Sequence, residues 1–465
     1  MKIIRVCSTK NARLPSDGSA TFVDAVSEAP NVSVETYLDD TRTQFQFSHR
    51  GRDLVELGMA VYLADECVAR NRAVDYWSRT LDFDFPVHAP SSWTAAVPSL
   101  QRTLKFLSGD HCEFAFPARR AVPPLARHRP QFSRVSSRRP FDRVCLFSGG
   151  VDSLLGAIRY LENGEHLLLL GHYADTATSA AQRTLAATLR QRFPGQAKFA
   201  QFRIQRHRGA HRTYPLPKKV ERTHRTRSFL FLTLAAACAD SFGIGRISIP
   251  ENGLIALNPP LEVSRVGALS TRTAHPIYLL RVLQFFHEIG LDGLLLENPF
   301  LFESKTDMVS ATQDWTVPLL KRSVSCARPN QYQDRGVRHC GYCVPCLYRR
   351  AGFIRRGIDA PNEYAFDVLQ TLGALTNDLQ GDARAMVRFA RRVTAASDTQ
   401  LLAVVLSHGY FAPESGQSLG GKATSYAPWT EMIRRWATAF LEDVHRKASP
   451  STLKIVGMPR RVRNR

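Results

Sequence analysis

The chain has 465 residues, 44% of them hydrophobic and 22% charged, the balance of a soluble globular protein with more than one core. Its apolar runs, such as Leu167 to Leu170, fall far short of the roughly 18 residues a membrane span needs. Met1 to Cys7 lead straight into polar sequence rather than a signal-peptide core, so no membrane partner and a cytoplasmic location are expected. The formal charge of +21 attracts anions such as nucleotides. Nucleic acid is possible as a partner but not favoured, because no aromatic-interleaved basic stripe accompanies the charge.

Residues 1–117 read as a separate α+β domain. Val32, Val34, Thr36 and Tyr37, then Phe45 and Phe47, alternate as strands do, and Leu54, Val55, Leu57, Val61, Tyr62 and Val68 recur at helical spacing. Alternation at Leu81, Phe83 and Phe85, a helical stretch around Leu100 to Leu107, and Phe114 with Phe116 complete it. His88 and His111 stand isolated and read as ordinary histidines. Residues 118–140 are rich in Arg, Pro and Ser without apolar period and predict a basic linker.

Residues 141–360 alternate strand and helix, which predicts an α/β fold with a doubly wound, mostly parallel sheet. The stretch Phe147-Ser148-Gly149-Gly150-Val151-Asp152-Ser153 follows the apolar run Val144 to Phe147 and precedes a helix carrying Leu154, Leu155, Ile158, Tyr160 and Leu161. A strand, a small-residue loop and a helix N-terminus offer backbone N–H groups and a positive dipole end to an anion, so this stretch predicts a phosphate cradle. Asp152 or Ser153 is expected to cap the helix. It is not a Walker loop, because no Gly-Lys-Ser/Thr follows. Ligands of such sheets sit beyond the carboxyl ends of strands. His172 with Asp175, and Glu251 with Asn252, fall at such ends, and Lys305 opens a later helix with a point charge suited to a phosphate.

Cys326, Cys340, Cys343 and Cys346 form Cys, thirteen residues, then Cys-Gly-Tyr-Cys-Val-Pro-Cys. Four thiolates in one short segment predict a tetrahedral Zn2+ site, although this spacing also occurs in iron–sulfur ligation. The other five of the nine cysteines are scattered, and disulfides are not expected in a reducing compartment. Residues 361–449 read as a helical region and 450–465 as a basic tail.

Ser148-Gly149-Gly150-Val151-Asp152-Ser153 resembles the pyrophosphate loop of the ATP pyrophosphatase (PP-loop) superfamily. With the downstream cysteine element Ser325-Cys326, Cys340-Gly341-Tyr342-Cys343, Cys346, Arg349 and Gly352-Phe353, and with Arg227-Ser228-Phe229-Leu230 and Pro299 with Lys305 between them, residues 141–360 resemble the 7-cyano-7-deazaguanine synthase (QueC) family. The resemblance implies ATP and Mg2+ as cofactors beside Zn2+. It implies a 7-deazaguanine carboxylate as substrate, phosphate contacts by Ser148, Gly149, Gly150, Asp152 and Ser153, and nucleotide contacts by Phe147, Val151, His172, Arg227, Glu251 and Asn252. Ser148, Asp152, Ser153 and Lys305 would be the catalytic set.

Two departures stand out. Gly171-His172-Tyr173-Ala174-Asp175 replaces the family's Tyr-Gly-Gln, and Glu251 to Pro260 with Ser270 to Pro276 instead resemble the enlarged QueC-like proteins of anti-phage systems, the Qat type. The expectation is a QueC-like ATP-dependent C–N ligase in bacterial anti-phage defence, acting on ammonia or on an amine of an operon-encoded partner protein. The alternatives are queuosine-pathway nitrile synthesis, a PP-loop tRNA-modifying enzyme, and a non-catalytic nucleotide-binding protein.

Overall fold

A computed structural model describes residues 2–7, 20–24, 32–43, 46–119, 141–173, 175–207, 216, 221, 223, 225–261 and 272–459. Phe45, the expected linker from residue 120, Ala174, Ser270, Thr271 and the last basic residues from Arg460 lie outside the described residues.

The first part of the chain forms β1 (Lys2–Cys7), β2 (Ala20–Asp24), β3 (Val32–Leu38), β4 (Thr41–Thr43), α1 (His49–Cys67), β5 (Thr80–Asp84), α2 (Pro90–Ala95), α3 (Val97–Ser108) and β6 (His111–Ala115). The middle forms β7 (Arg143–Leu146), α4 (Val151–Glu162), β8 (Leu167–His172), α5 (Thr176–Arg192), β9 (Ala197–Arg206), α6 (Arg227–Phe242) and β10 (Arg246–Ser248). It continues through α7 (Gly253–Leu257), α8 (Pro276–Glu288), β11 (Leu295–Glu297), α9 (Lys305–Ser310), α10 (Val317–Arg322) and α11 (Val344–Arg356). Helices α12 (Val368–Thr371), α13 (Asn377–Ala395), α14 (Asp398–Val405), α15 (Ser415–Ser418), α16 (Ala427–Lys447) and α17 (Pro450–Ile455) complete it.

The central sheet runs β11-β10-β7-β8-β9-β3-β4, and its first five strands are parallel. From β7 the chain winds outward through β8 and β9, then returns to the other side of β7 for β10 and β11. The loops leaving β7 and β10 therefore diverge, and a crevice opens between them. Strand β8 is buried throughout, with the apolar run Leu167 to Leu170, because both faces are covered. Leu167 and Leu169 enter a core with Leu154, Leu185 and Leu189 of α4 and α5, while Leu168 and Leu170 enter another with Phe229, Leu279 and Phe285 of α6 and α8.

The expectation of a separate N-terminal domain needs correction. Strand β3 pairs antiparallel with β9, from Val32 opposite Arg206 to Leu38 opposite Ala200, so residues 32–43 complete the sheet of the middle region. Without β3 the long β9 would present an unpaired edge. Helix α1 also lies against α6, where Gly58 is required: a Cβ there would sit 2.0 Å from Thr233 Oγ1. The four remaining strands form a parallel sheet in the order β2-β1-β5-β6.

The C-terminal region is helical, with Trp429 and Trp436 of α16 fully buried. The tail expected from residue 450 instead begins as α17: the Ser449 hydroxyl accepts from Thr452 N, Pro450 takes the first turn, and Leu453 is buried. Among the described residues no helix is long and apolar enough to cross a membrane.

Candidate active site

Strand β7 ends at Leu146, and the turn into α4 is built from small residues held by their own hydroxyls. Gly149 has φ +79°, and a Cβ there would lie 3.0 Å from Gln182 N, so both conformation and space call for glycine. Ser148 Oγ accepts from Gly150 N at 3.3 Å and lies 3.1 Å from Ser153 Oγ. Ser153 Oγ accepts from Ser148 N at 3.2 Å. Neither Asp152 nor Ser153 caps the helix, contrary to expectation. Gly150 occupies the N-cap without a side-chain bond, because Ser153 turns back to Ser148 and Asp152 turns away into the crevice.

Asp152 is buried, and what surrounds it defines the site. Lys305 Nζ lies 2.8 Å from Asp152 Oδ1, and Asp152 Oδ2 accepts from Asn252 N at 3.1 Å and Asn252 Nδ2 at 2.7 Å. Lys305 arrives at the first position of α9, whose capping box joins Ser304 and Asp307. Asn252 Nδ2 also reaches Glu251 Oε1 at 3.4 Å, so the two carboxyl groups share one amide. Burial pushes the Glu251 carboxyl well above its usual range, the neighbouring Asp152 charge pushes it further, and the two side chains are hydrogen-bonded. Burial works against an ionised Asp152 too, but Lys305 and the bonds from Glu251 and Asn252 outweigh it and hold its carboxyl below the usual range. Glu251 is therefore the proton carrier of the pair and Asp152 the anion.

The structure brings Ser148, Gly149, Gly150, Val151, Asp152, Ser153, Glu251, Asn252 and Lys305 to the crevice between β7 and β10. Phe147 packs instead in the core behind the loop, with Phe199. His172 reaches the loop through an intermediary: Gln182 Nε2 donates to both Ser148 O and His172 O, each at 3.2 Å. Burial, then Arg227, lowers the His172 pKa to about 3, which makes its imidazole neutral at physiological pH. Arg227 opens α6 and stacks on Phe231, whose ring also lies against His172.

Three further residues contribute to the site. Gln182 carries no motif. Asn298 bonds Glu251 in both directions, its Nδ2 donating to Glu251 O at 2.8 Å and its Oδ1 accepting from Glu251 N at 3.3 Å. Ser325, whose place beside Cys326 was the available signal, accepts Val151 N on its hydroxyl at 3.2 Å, while Val324 N donates to Gly149 O at 2.9 Å.

Cys326, Cys340, Cys343 and Cys346 lie together, their sulfurs within 4.8 Å of one another. The Cys326–Cys343 and Cys340–Cys346 separations are 4.0 and 3.9 Å, close to the roughly 3.8 Å edge of a tetrahedron with 2.3 Å zinc–sulfur bonds. Backbone N–H groups of Arg328 and Cys340 point at Cys326 Sγ, and that of Cys343 at Cys340 Sγ, as thiolates require. The set fits Zn2+. Gly341, at φ +87°, makes the turn where a Cβ would meet Phe366 O at 2.1 Å.

No family model matches the chain, and no solved structure matches it. It is similar to the 7-cyano-7-deazaguanine synthase of Thermoplasma acidophilum, 28% identical over 151 residues, which cover 32% of this chain and 57% of the relative. It is also similar to that of Acinetobacter baylyi, 29% identical over 141 residues, which cover 30% of this chain and 55% of the relative. The chain thus spans little more than half the length of the curated relatives it matches, and the likeness extends over about a third of its own residues.

Proposed function

We propose that this chain is a PP-loop enzyme that spends ATP to activate the carboxylate of a 7-deazaguanine, 7-carboxy-7-deazaguanine, and transfers the activated carbon to an amine. The observation that carries the reading is the convergence of the Ser148–Ser153 loop, Lys305 and the Asp152–Glu251 pair on one crevice. The N-terminal end of α4 and the hydroxyls of Ser148 and Ser153 receive phosphate oxygens. Lys305, screened from water beside Asp152, places its charge where negative charge develops on the transferring group.

A substrate carboxylate oxygen attacks ATP phosphorus and displaces the leaving phosphate, which turns a poor electrophile into a good one. The amine then attacks the carbonyl carbon. The departing phosphate oxygen takes the proton that the amine sheds as the C–N bond forms, and Glu251, which holds its own proton beside the Asp152 anion, donates a hydrogen bond to that oxygen. Mg2+, when bound, neutralises phosphate charge, and the Asp152 and Glu251 oxygens are the hard ligands present for it. The four cysteines hold Zn2+ as a structural clamp behind the loop.

The reading extends to anti-phage defence, with an operon-encoded protein amine as acceptor. What supports the extension is that the flanking regions add folded surface without added reactive groups. Incubation with ATP, Mg2+ and 7-carboxy-7-deazaguanine, followed by mass spectrometry, is the test. Carboxylate-dependent release of AMP or ADP is expected, and its absence overturns the enzyme reading. With the partner co-expressed, a deazaguanine adduct on that protein is expected, whereas free amide or nitrile beside an unmodified partner returns the function to queuosine-type synthesis.

A further inference from the structure

Away from the crevice, the guanidinium groups of Arg272 and Arg281 meet over Phe106 of α3. Arg272 Cζ lies 4.7 Å from the centre of the Phe106 ring and Arg281 Cζ 5.1 Å from it. Arg272 Nη1 donates to Phe106 O at 2.9 Å, and Arg281 Nη1 donates to Arg102 O at 3.3 Å. Arg102 lies one helical turn before Phe106, is exposed, and bonds the Ser99 hydroxyl at 2.9 Å.

Several other buried or half-buried arginines of this protein are paired with carboxylates. Arg143 lies between Glu165 and Glu297, Arg350 between Asp359 and Asp367, and Arg70 and Arg79 between Asp65 and Asp110. Among the described residues, no carboxylate pairs with Arg102, Arg272 or Arg281. Glu288 is linked to Arg102 through the Ser99 hydroxyl, which bonds both. Burial, then the neighbouring guanidinium, lowers the pKa of both Arg272 and Arg281, Arg272 by Arg281 and Arg281 by Arg102. His275, whose ring lies 5.5 Å from that of Phe106, is lowered to about 3 by burial, His408 and the same two arginines, so it relieves none of the charge.

We propose that the row Arg102–Arg281–Arg272 is a docking site for an extended acidic peptide segment of a partner protein. Three considerations select this occupant. Arg272 and Arg281 share the Phe106 ring and Arg281 bonds the carbonyl of Arg102, so three cationic side chains are gathered at one turn of α3, which suits successive carboxylates along a strand better than one small anion. Backbone bonds and stacking on Phe106 fix the guanidinium planes of Arg272 and Arg281 before any ligand arrives, which favours paired contacts with carboxylate oxygens. The Phe106 ring is already packed against two guanidiniums and an imidazole, so it is not a platform for stacking a nucleobase. The site draws on α3 from the N-terminal region and on α8 with the residues preceding it, and is independent of the ATP chemistry proposed above.

The test is fluorescence anisotropy of a labelled hexaglutamate peptide on the full chain. The variants are Arg102→Glu with Arg281→Glu, and, as a control for the overall charge, Arg246→Glu with Arg434→Glu. Binding that weakens about tenfold or more with the first pair and much less with the second is expected, because reversing a charge adds repulsion to the lost attraction. Equal loss with both pairs reduces the effect to net charge and overturns the proposal. Binding of a single-stranded RNA of equal charge that depends on Arg102 and Arg281 while the peptide's does not also overturns it. Full competition by millimolar inorganic phosphate would make the site one for a small anion and sink the peptide assignment. Retained ATP binding and an unchanged melting temperature in the Arg102/Arg281 variant separate this outcome from misfolding and from failure of the loop.

Discussion

The hydroxyl of Ser325 accepts the backbone N–H of Val151, and the residue after Ser325 is Cys326, a member of the four-thiol cluster. One side of the Ser148–Ser153 loop is therefore anchored to the cysteine element, with Val324 N on Gly149 O as a second point of attachment. A metal held by the four thiols would be coupled to loop order through this segment.

Removal of the metal with a strong chelator should accordingly raise hydrogen exchange at residues 149–153 and weaken ATP binding together. Ser325→Ala should do the same in milder form, leaving Val151 N–H unsatisfied at a cost of about 1–3 kcal/mol. Exchange mass spectrometry reads both. A loop whose protection survives demetallation would break the link between the two sites.

Lys305 and Asp152 form a buried ion pair, and breaking one side strands the other. Lys305→Met should cost about 3–5 kcal/mol of unfolding free energy, since Asp152 then stays buried without its cation. Asp152→Asn combined with Lys305→Met should cost less than the sum of the singles, by about 0.5–3 kcal/mol. Denaturant unfolding of the four proteins provides the cycle, and additive costs would show that the contact is not energetically coupled.

The acid pair also fixes a pH dependence of opposite sign at its two members. Glu251, ordinarily near 4.5, is raised in the folded state, so the fold keeps a proton that the unfolded chain has released. Stability then falls as pH rises from about 4.5 through the raised value. Asp152, ordinarily near 3.8, is lowered, and the stability it contributes is lost as pH falls from that value through its folded one. Glu251→Gln, a mimic of the protonated acid, should raise the melting temperature at pH 7–8 relative to the natural chain and flatten the alkaline decline. Melting curves from pH 5 to 9 that show parallel profiles for the two proteins would mean that Glu251 titrates as an ordinary carboxylate.

The loop and the thiol cluster were legible because their chemistry is local: contiguous small residues after a strand, and four cysteines within one segment. The strands and helices of the middle region were legible for a similar reason, since their apolar periods reflect burial on both faces of one sheet. The pairing of β3 with β9 was not, because Val32 meets Arg206 across a stretch of sequence that carries no record of register. The helix cap was misread because Asp152 satisfies every local preference for a cap, yet its carboxylate is claimed by Lys305 and Asn252, which come from distant segments. Ser325 and Gln182 belong to the same class. Their chemistry is ordinary, and their position alone makes them part of the site.

The N-terminal region also grips the start of α6 through a buried acid, and this yields the last prediction. Asp65 lies between Arg70 and Arg79, at 3.2 and 2.6 Å, and its second oxygen accepts Thr226 N at 2.9 Å and Thr226 Oγ1 at 3.1 Å. Thr226 immediately precedes Arg227 and so sets where that guanidinium and the neighbouring His172 lie. Burial opposes the Asp65 charge, but the two arginines and the Thr226 bond hold its carboxyl below the usual range, so it is an anion at neutral pH. Asp65→Asn leaves two buried guanidiniums sharing Asp110 alone and should destabilise by about 3–5 kcal/mol. Removal of residues 1–119 should be worse: it uncovers the β9 edge and the α6 face on which α1 packs, and the remaining chain should be insoluble rather than a smaller working unit. A truncated chain that is monomeric, with a cooperative melt and bound ATP, would show that the middle region folds alone and that Asp65 anchors nothing the site requires.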